Sequence, residues 1–76
     1  MTVTVHMHGN LRRFLPEGRA SAPLPVTPGT TVQGLLTMLG AAEETWLVAV
    51  NGRTVEREEV LAPDDVLDCF EPVAGG

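Results

Sequence analysis

The chain has 76 residues, and ten acidic against five basic side chains give it a net charge of −5 at neutral pH. That length holds one domain, and 43% hydrophobic with 20% charged residues is a globular composition. A domain this small buries only about 60% of its unfolded surface, which argues against a core plus a deep substrate cavity, and so against a self-sufficient enzyme.

The acidic balance also argues against a nucleic-acid partner, which calls for a basic face. A single cysteine, Cys69, excludes an internal disulfide framework, a four-cysteine zinc site and a cysteine-ligated cluster. No apolar run approaches the length of a membrane span and no export signal opens the chain, so a cytosolic protein with no membrane partner is expected. All five basic residues are arginine. Residues 1–42 carry a local charge of +2 and residues 43–76 carry −7, so the C-terminal half suits a partner with a basic surface.

Val3, Val5 and Met7 alternate with Thr4, His6 and His8, which predicts a strand over residues 2–8 with one apolar face. Leu11 to Leu15 form a short apolar anchor closed by Pro16-Glu17-Gly18. Over residues 19–26, Ala20, Ala22, Leu24 and Val26 share a face. Pro23 and Pro25 occupy the other, which predicts an edge strand paired with the first. After the Pro28-Gly29 turn, Thr30 and Gln33 have the spacing of a capping box. Val32, Leu35, Leu36 and Leu39 then carry a helix of about ten residues that stops at Gly40. Trp46 to Val50 is an apolar run ending in the hairpin signal Asn51-Gly52, with Arg53 to Val55 returning. Residues 56–62 are a polar loop with Val60 and Leu61 as buried anchors. Pro63-Asp64-Asp65 turns the chain into a last strand, Val66 to Glu71. Two opening strands, one helix and further strands predict an α+β roll, a mixed sheet with one helix on one face.

The sequence ends Pro72-Val73-Ala74-Gly75-Gly76. Glycine lacks a Cβ, so a Gly-Gly end suits a carboxylate that passes through a narrow channel in another protein. Extended, these five residues reach roughly 17 Å, enough to place Gly76 inside a partner's active site. The other candidates carry less chemistry. His6 and His8 begin a metal site, but no Cys, Asp or third His clearly converges on them, so surface histidines facing solvent or a partner are the simpler reading. Cys69 reads as a packed core thiol, and Glu56, Glu58 and Glu59 as a solvated loop. With Leu67 and Cys69 facing the helix, Phe70 falls on the open face beside Asp68, either as a docking anchor at the root of the tail or in a locally covered corner.

Val3 to Met7, Leu11-Arg12, the Thr31 to Gly40 helix, Val48-Ala49-Val50-Asn51-Gly52, Leu61-x-Pro63-Asp64-Asp65 and the ending Phe70 to Gly76 together resemble the β-grasp, ubiquitin-like sulfur carriers, MoaD and ThiS. The ending and Leu11-Arg12 are closer to MoaD, Asn51-Gly52 is equally like ThiS, and Gly34 and Glu71 depart from the usual MoaD pattern. The resemblance implies a β-grasp domain over residues 1–71 and a C-terminal tail over 72–76. It implies that an E1-like enzyme uses ATP and Mg²⁺ to adenylate Gly76, that sulfur displaces AMP to leave a thiocarboxylate, and that the chain itself binds no cofactor or metal. Gly75, Ala74, Val73, Pro72 and Phe70 would then contact the partners. These are the activating enzyme and a sulfur acceptor, either a MoaE-like large subunit or a thiazole-synthase-like enzyme. A ubiquitin-like modifier that forms isopeptide bonds is the alternative from another class.

Overall fold

The computed structural model describes residues 1–72. Its sheet comprises β1 (Thr2–Met7), β2 (Ser21–Pro25), β3 (Leu47–Val50), β4 (Arg53–Thr54) and β5 (Val66–Phe70), in the order β2-β1-β5-β3-β4. One helix, α1 (Val32–Leu39), contributes Val32, Leu35 and Leu36 to the core. The mixed sheet with one main helix is the architecture expected above.

Alternation explains which side of the sheet is covered. Strand β5 pairs in parallel with β1 and antiparallel with β3, so Val5, Leu67 and Val50 form one row across the sheet and Met7, Cys69 and Val48 the next. All six are buried, against α1 and the anchors Leu11, Leu15 and Leu61. The intervening rows face the other way: His6, Asp68 and Ala49, then Phe70 with Leu47. Pro23 and Pro25 are exposed on β2, which forms one edge of the sheet, where their missing N–H groups interrupt no ladder.

Local signals set the ends of the elements. Asn51 and Gly52 have φ of 51° and 83°, the paired left-handed conformation of a tight hairpin turn. Gly40 ends α1 at φ 79°, its N–H returning to the carbonyls of Leu36 and Thr37. The helix start differs from the expectation. The cap is Thr31, not Thr30, and its Oγ1 accepts from the Gly34 N–H at 3.0 Å. Glycine stands where a capping box needs a long polar side chain, so the box does not form. The segment at 57–59 serves instead, with Val32 and Gln33 donating to the carbonyls of Glu59 and Arg57, both at 2.9 Å.

Other expectations shift at their margins. The anchor after β1 is a 3₁₀ segment, Gly9–Phe14, with Leu11 buried. Val60 is not a buried anchor. It is 56% exposed, because its backbone bridges Thr31 and the chain alternation sends only Leu61 inward. Trp46 lies one residue before β3 and is 70% exposed. Ala20 precedes β2 and is exposed.

Candidate functional site

The feature that organises the site is the position of β5. This strand is central, held on both sides by β1 and β3, and it is the one that leads to the C-terminal segment. Its last residue, Phe70, is gripped by the backbone just ahead of the neighbouring strand: the Trp46 N–H donates to the Phe70 carbonyl at 2.8 Å. The point where the chain leaves β5 is therefore fixed by a strand paired on both sides, with Phe70 itself held from the β3 side. Of the residues predicted to meet partners, Phe70 and Pro72 are described. Val73, Ala74, Gly75 and Gly76 lie outside the described residues.

Phe70 lies on the open face, as its strand parity requires, and is half-buried. Its cover comes from His8, whose ring stacks on it at a centroid distance of 4.4 Å and an interplanar angle of 9°. His8 Nε2 also lies 2.9 Å from Asp68 Oδ1. An ionised carboxylate only accepts, so Nε2 carries the proton and His8 donates. His6 Nδ1 lies 3.7 Å from the same oxygen. Asp68 thus converges on both histidines, contrary to the expectation that no such residue would. Parallel pairing of β1 with β5 joins residues 60 positions apart, which no local pattern reveals. Among the described residues no group of three or more His, Cys, Asp and Glu is arranged to hold a metal ion.

Leu47 pairs with Phe70 and is 44% exposed, and Trp46 stands at the same end of the sheet. Two of the exposed large apolar residues therefore stand where the chain leaves β5, while Met38 and Val60 are exposed elsewhere. Sequence reasoning missed Trp46, because a tryptophan opening an apolar run reads as core. It placed His8 on the surface but not against Phe70 and Asp68, which meet it across the sheet.

Cys69 belongs to the opposite face. It is fully buried, and its thiol is pushed up from the ordinary 9.0 to about 12, chiefly by burial, with the neighbouring Asp68 charge adding to the effect and Arg57 opposing it. A thiol so protonated is a poor nucleophile, and the sheet separates it from His8 and Asp68. A recess of about 580 Å³ beside the tail root, lined in part by Asn10, Arg12, Arg13 and Glu71, is open to solvent. The geometry offers a presented strand end with an apolar surround rather than an enclosed reaction chamber.

A five-stranded mixed sheet in this order, with one helix laid across one face, defines a ubiquitin-like β-grasp domain. The sequence profile of the ThiS family matches residues 5–76, and the chain belongs to that family. Among solved structures it is similar to SAMP1 from Haloferax volcanii, at 22% identity over 100% of both chains with a TM-score of 0.79. It is also similar to the putative molybdopterin converting factor subunit 1 from Pyrococcus furiosus, at 25% identity over 96% of this chain and 99% of that one, with a TM-score of 0.77. A third likeness is to the protein–protein complex of subunits 1 and 2 of the molybdopterin-converting factor from Helicobacter pylori, at 22% identity over 100% of both chains and a TM-score of 0.62. Comparison with curated proteins gives no match.

Proposed function

We propose that this chain is a sulfur carrier, a protein cosubstrate rather than an enzyme. An E1-like enzyme binds the body and takes the C-terminal carboxylate of Gly76 into its site. A carboxylate oxygen attacks the α-phosphorus of Mg·ATP and pyrophosphate leaves. Hydrosulfide or its equivalent then adds to the acyl carbon and AMP departs, leaving a thiocarboxylate for an acceptor. The nearest reading is MoaD-like, with a pterin precursor as final acceptor and a MoaE-like large subunit as the second partner. The likeness to the subunit 1 structures supports that choice, while the matching profile keeps a ThiS-like role in thiazole synthesis as the alternative.

The observation that carries the proposal is the extent of the family match, which runs through the tail to Gly76. The fixed strand end and the apolar surround of Phe70 support it physically. A partner must hold the body while the tail occupies its site, and a surface bordering the tail root does so with the least slack.

Incubation with the activating enzyme, Mg·ATP and sulfide should exchange one carboxyl oxygen of Gly76 for sulfur, read by intact mass. Pyrophosphate release without a mass change, or neither, refutes the carrier reading. A protein-modifier role draws support from the likeness to SAMP1, also described as small archaeal modifier protein 1. Isopeptide-linked Gly76 on lysines of other proteins, in digests from the native cells, would establish it. With no lysine in its sequence, the chain cannot carry such a bond on its own side chains.

A further inference from the structure

We propose that Glu71 is a positioning residue, a latch that fixes the direction in which the chain leaves β5. The inference rests on the carrier reading above and assigns the residue that sets how the tail is presented.

Three observations meet at this side chain. The 3₁₀ segment Gly9–Phe14 begins without a side-chain cap from the residue that precedes it, His8. Glu71 supplies one from the far end of the chain, with Oε2 accepting the Asn10 N–H at 2.9 Å across 61 residues. Gly9 makes room for it: a Cβ there would stand 2.0 Å from Glu71 Oε2 and 2.8 Å from its Cδ. Gly9 also has φ of 64°, a conformation that disfavours side chains. The glycine and the glutamate thus form a matched pair, one vacating the space that the other fills.

The latch is itself held. The Asn10 carbonyl accepts from Arg13 Nη1 at 2.8 Å, and Arg13 pairs through Nη2 with Glu44, in the segment between α1 and β3. Glu71 is therefore tied through Asn10 and Arg13 to a second part of the body. Since Glu71 follows the last residue of β5 directly and precedes Pro72, whose ring restricts φ, anchoring its side chain narrows the exit direction before any partner is met.

The test uses the full chain and its E1-like enzyme. Hydrogen exchange at the Asn10 amide, measured by NMR without partner, should accelerate in Glu71→Ala. Activation, followed by ATP–pyrophosphate exchange, should show kcat lowered roughly three- to tenfold, the loss matching one partly exposed charge-assisted hydrogen bond, with KM nearly unchanged. Glu71→Gln keeps an acceptor oxygen and should restore most of the rate. A merely structural role lowers the melting temperature and leaves kcat intact below it. Unchanged Asn10 exchange in Glu71→Ala overturns the latch. Faster exchange with an unchanged kcat, or a raised KM at constant kcat, overturns the positioning role. Inactivity of the wild-type chain is a different result, for it refutes the carrier reading and removes this inference with it.

Discussion

The sequence contains no lysine and no tyrosine, which makes the buried thiol of Cys69 open to a clean test. Lysine and tyrosine are the side chains whose ordinary values lie nearest that of a thiol on the alkaline side, so their absence leaves Cys69 as the group to follow there. Its thiol value rises from 9.0 to about 12 on folding. A raised value means that the folded state holds the proton more tightly. The associated stability is complete below pH 9, and it is lost as pH climbs from 9 toward 12. Linkage puts the loss at about 1 kcal/mol by pH 10 and about 3 kcal/mol by pH 11. The perturbation is Cys69→Ala, which removes the titrating group and lowers stability at neutral pH by about 1 kcal/mol. Urea denaturation of both proteins, followed by far-ultraviolet circular dichroism from pH 8 to pH 11, should give two curves that approach, meet near pH 10 and cross. Parallel curves to pH 11 would refute the reasoning, because the thiol would then ionise in the folded protein much as it does in the unfolded one. The same variant should still accept sulfur at Gly76; loss of transfer with an unchanged melting curve would indicate a persulfide relay through the thiol.

Three further outcomes are expected. Phe70→Ala should weaken binding to the activating enzyme and the acceptor by about 2 kcal/mol at low and high salt alike, measured by calorimetry; normal affinity with a lowered melting temperature would make Phe70 a residue of the fold alone. Arg57 donates to the Gln33 side chain and the Ala42 carbonyl, each at 3.0 Å, and to the Thr45 carbonyl. Arg57→Ala should therefore destabilise the domain by about 1–3 kcal/mol in urea, and Arg57→Lys should recover little, since one ammonium lacks the guanidinium's planar fork. Deletion of Gly76 should abolish thiocarboxylation and leave the melting temperature unchanged; sulfur on the new terminal residue would contradict the threading argument.

The parts of the fold legible in the sequence are those with local causes. Alternation in Val3 to Met7 and Val66 to Phe70 gave the correct inward faces, and Asn51-Gly52 and Gly40 marked their turn and stop because their left-handed backbone is a property of the residues themselves. Thr30 and Thr31 are locally equivalent, and the choice between them is made by residues 57–61, whose carbonyls and bridge to Thr31 fix where the helix begins. The site was legible to the same extent. Phe70 could be placed on the open face by parity, but His8 and Asp68 meet it only because β1 and β5 lie side by side, and the partnership of Gly9 with Glu71 spans almost the whole chain. Trp46 carried no distinguishing signal, since its exposure comes from where β3 begins.

The parallel alignment of β1 and β5 also decides how the domain answers to force. Tension applied between Thr2 and Pro72 pulls these two strands past one another lengthwise. The bonds joining them, from Thr4 N–H to the Asp65 carbonyl at one end to His8 N–H to the Cys69 carbonyl at the other, are then loaded together rather than opened in succession. A sheared ladder of this kind yields only when its bonds fail as a group, whereas a hairpin pulled from its ends unzips one bond at a time. Pulled between these two points the domain keeps its shape until the whole ladder gives way, a mechanical tolerance that suits the carrier role proposed above.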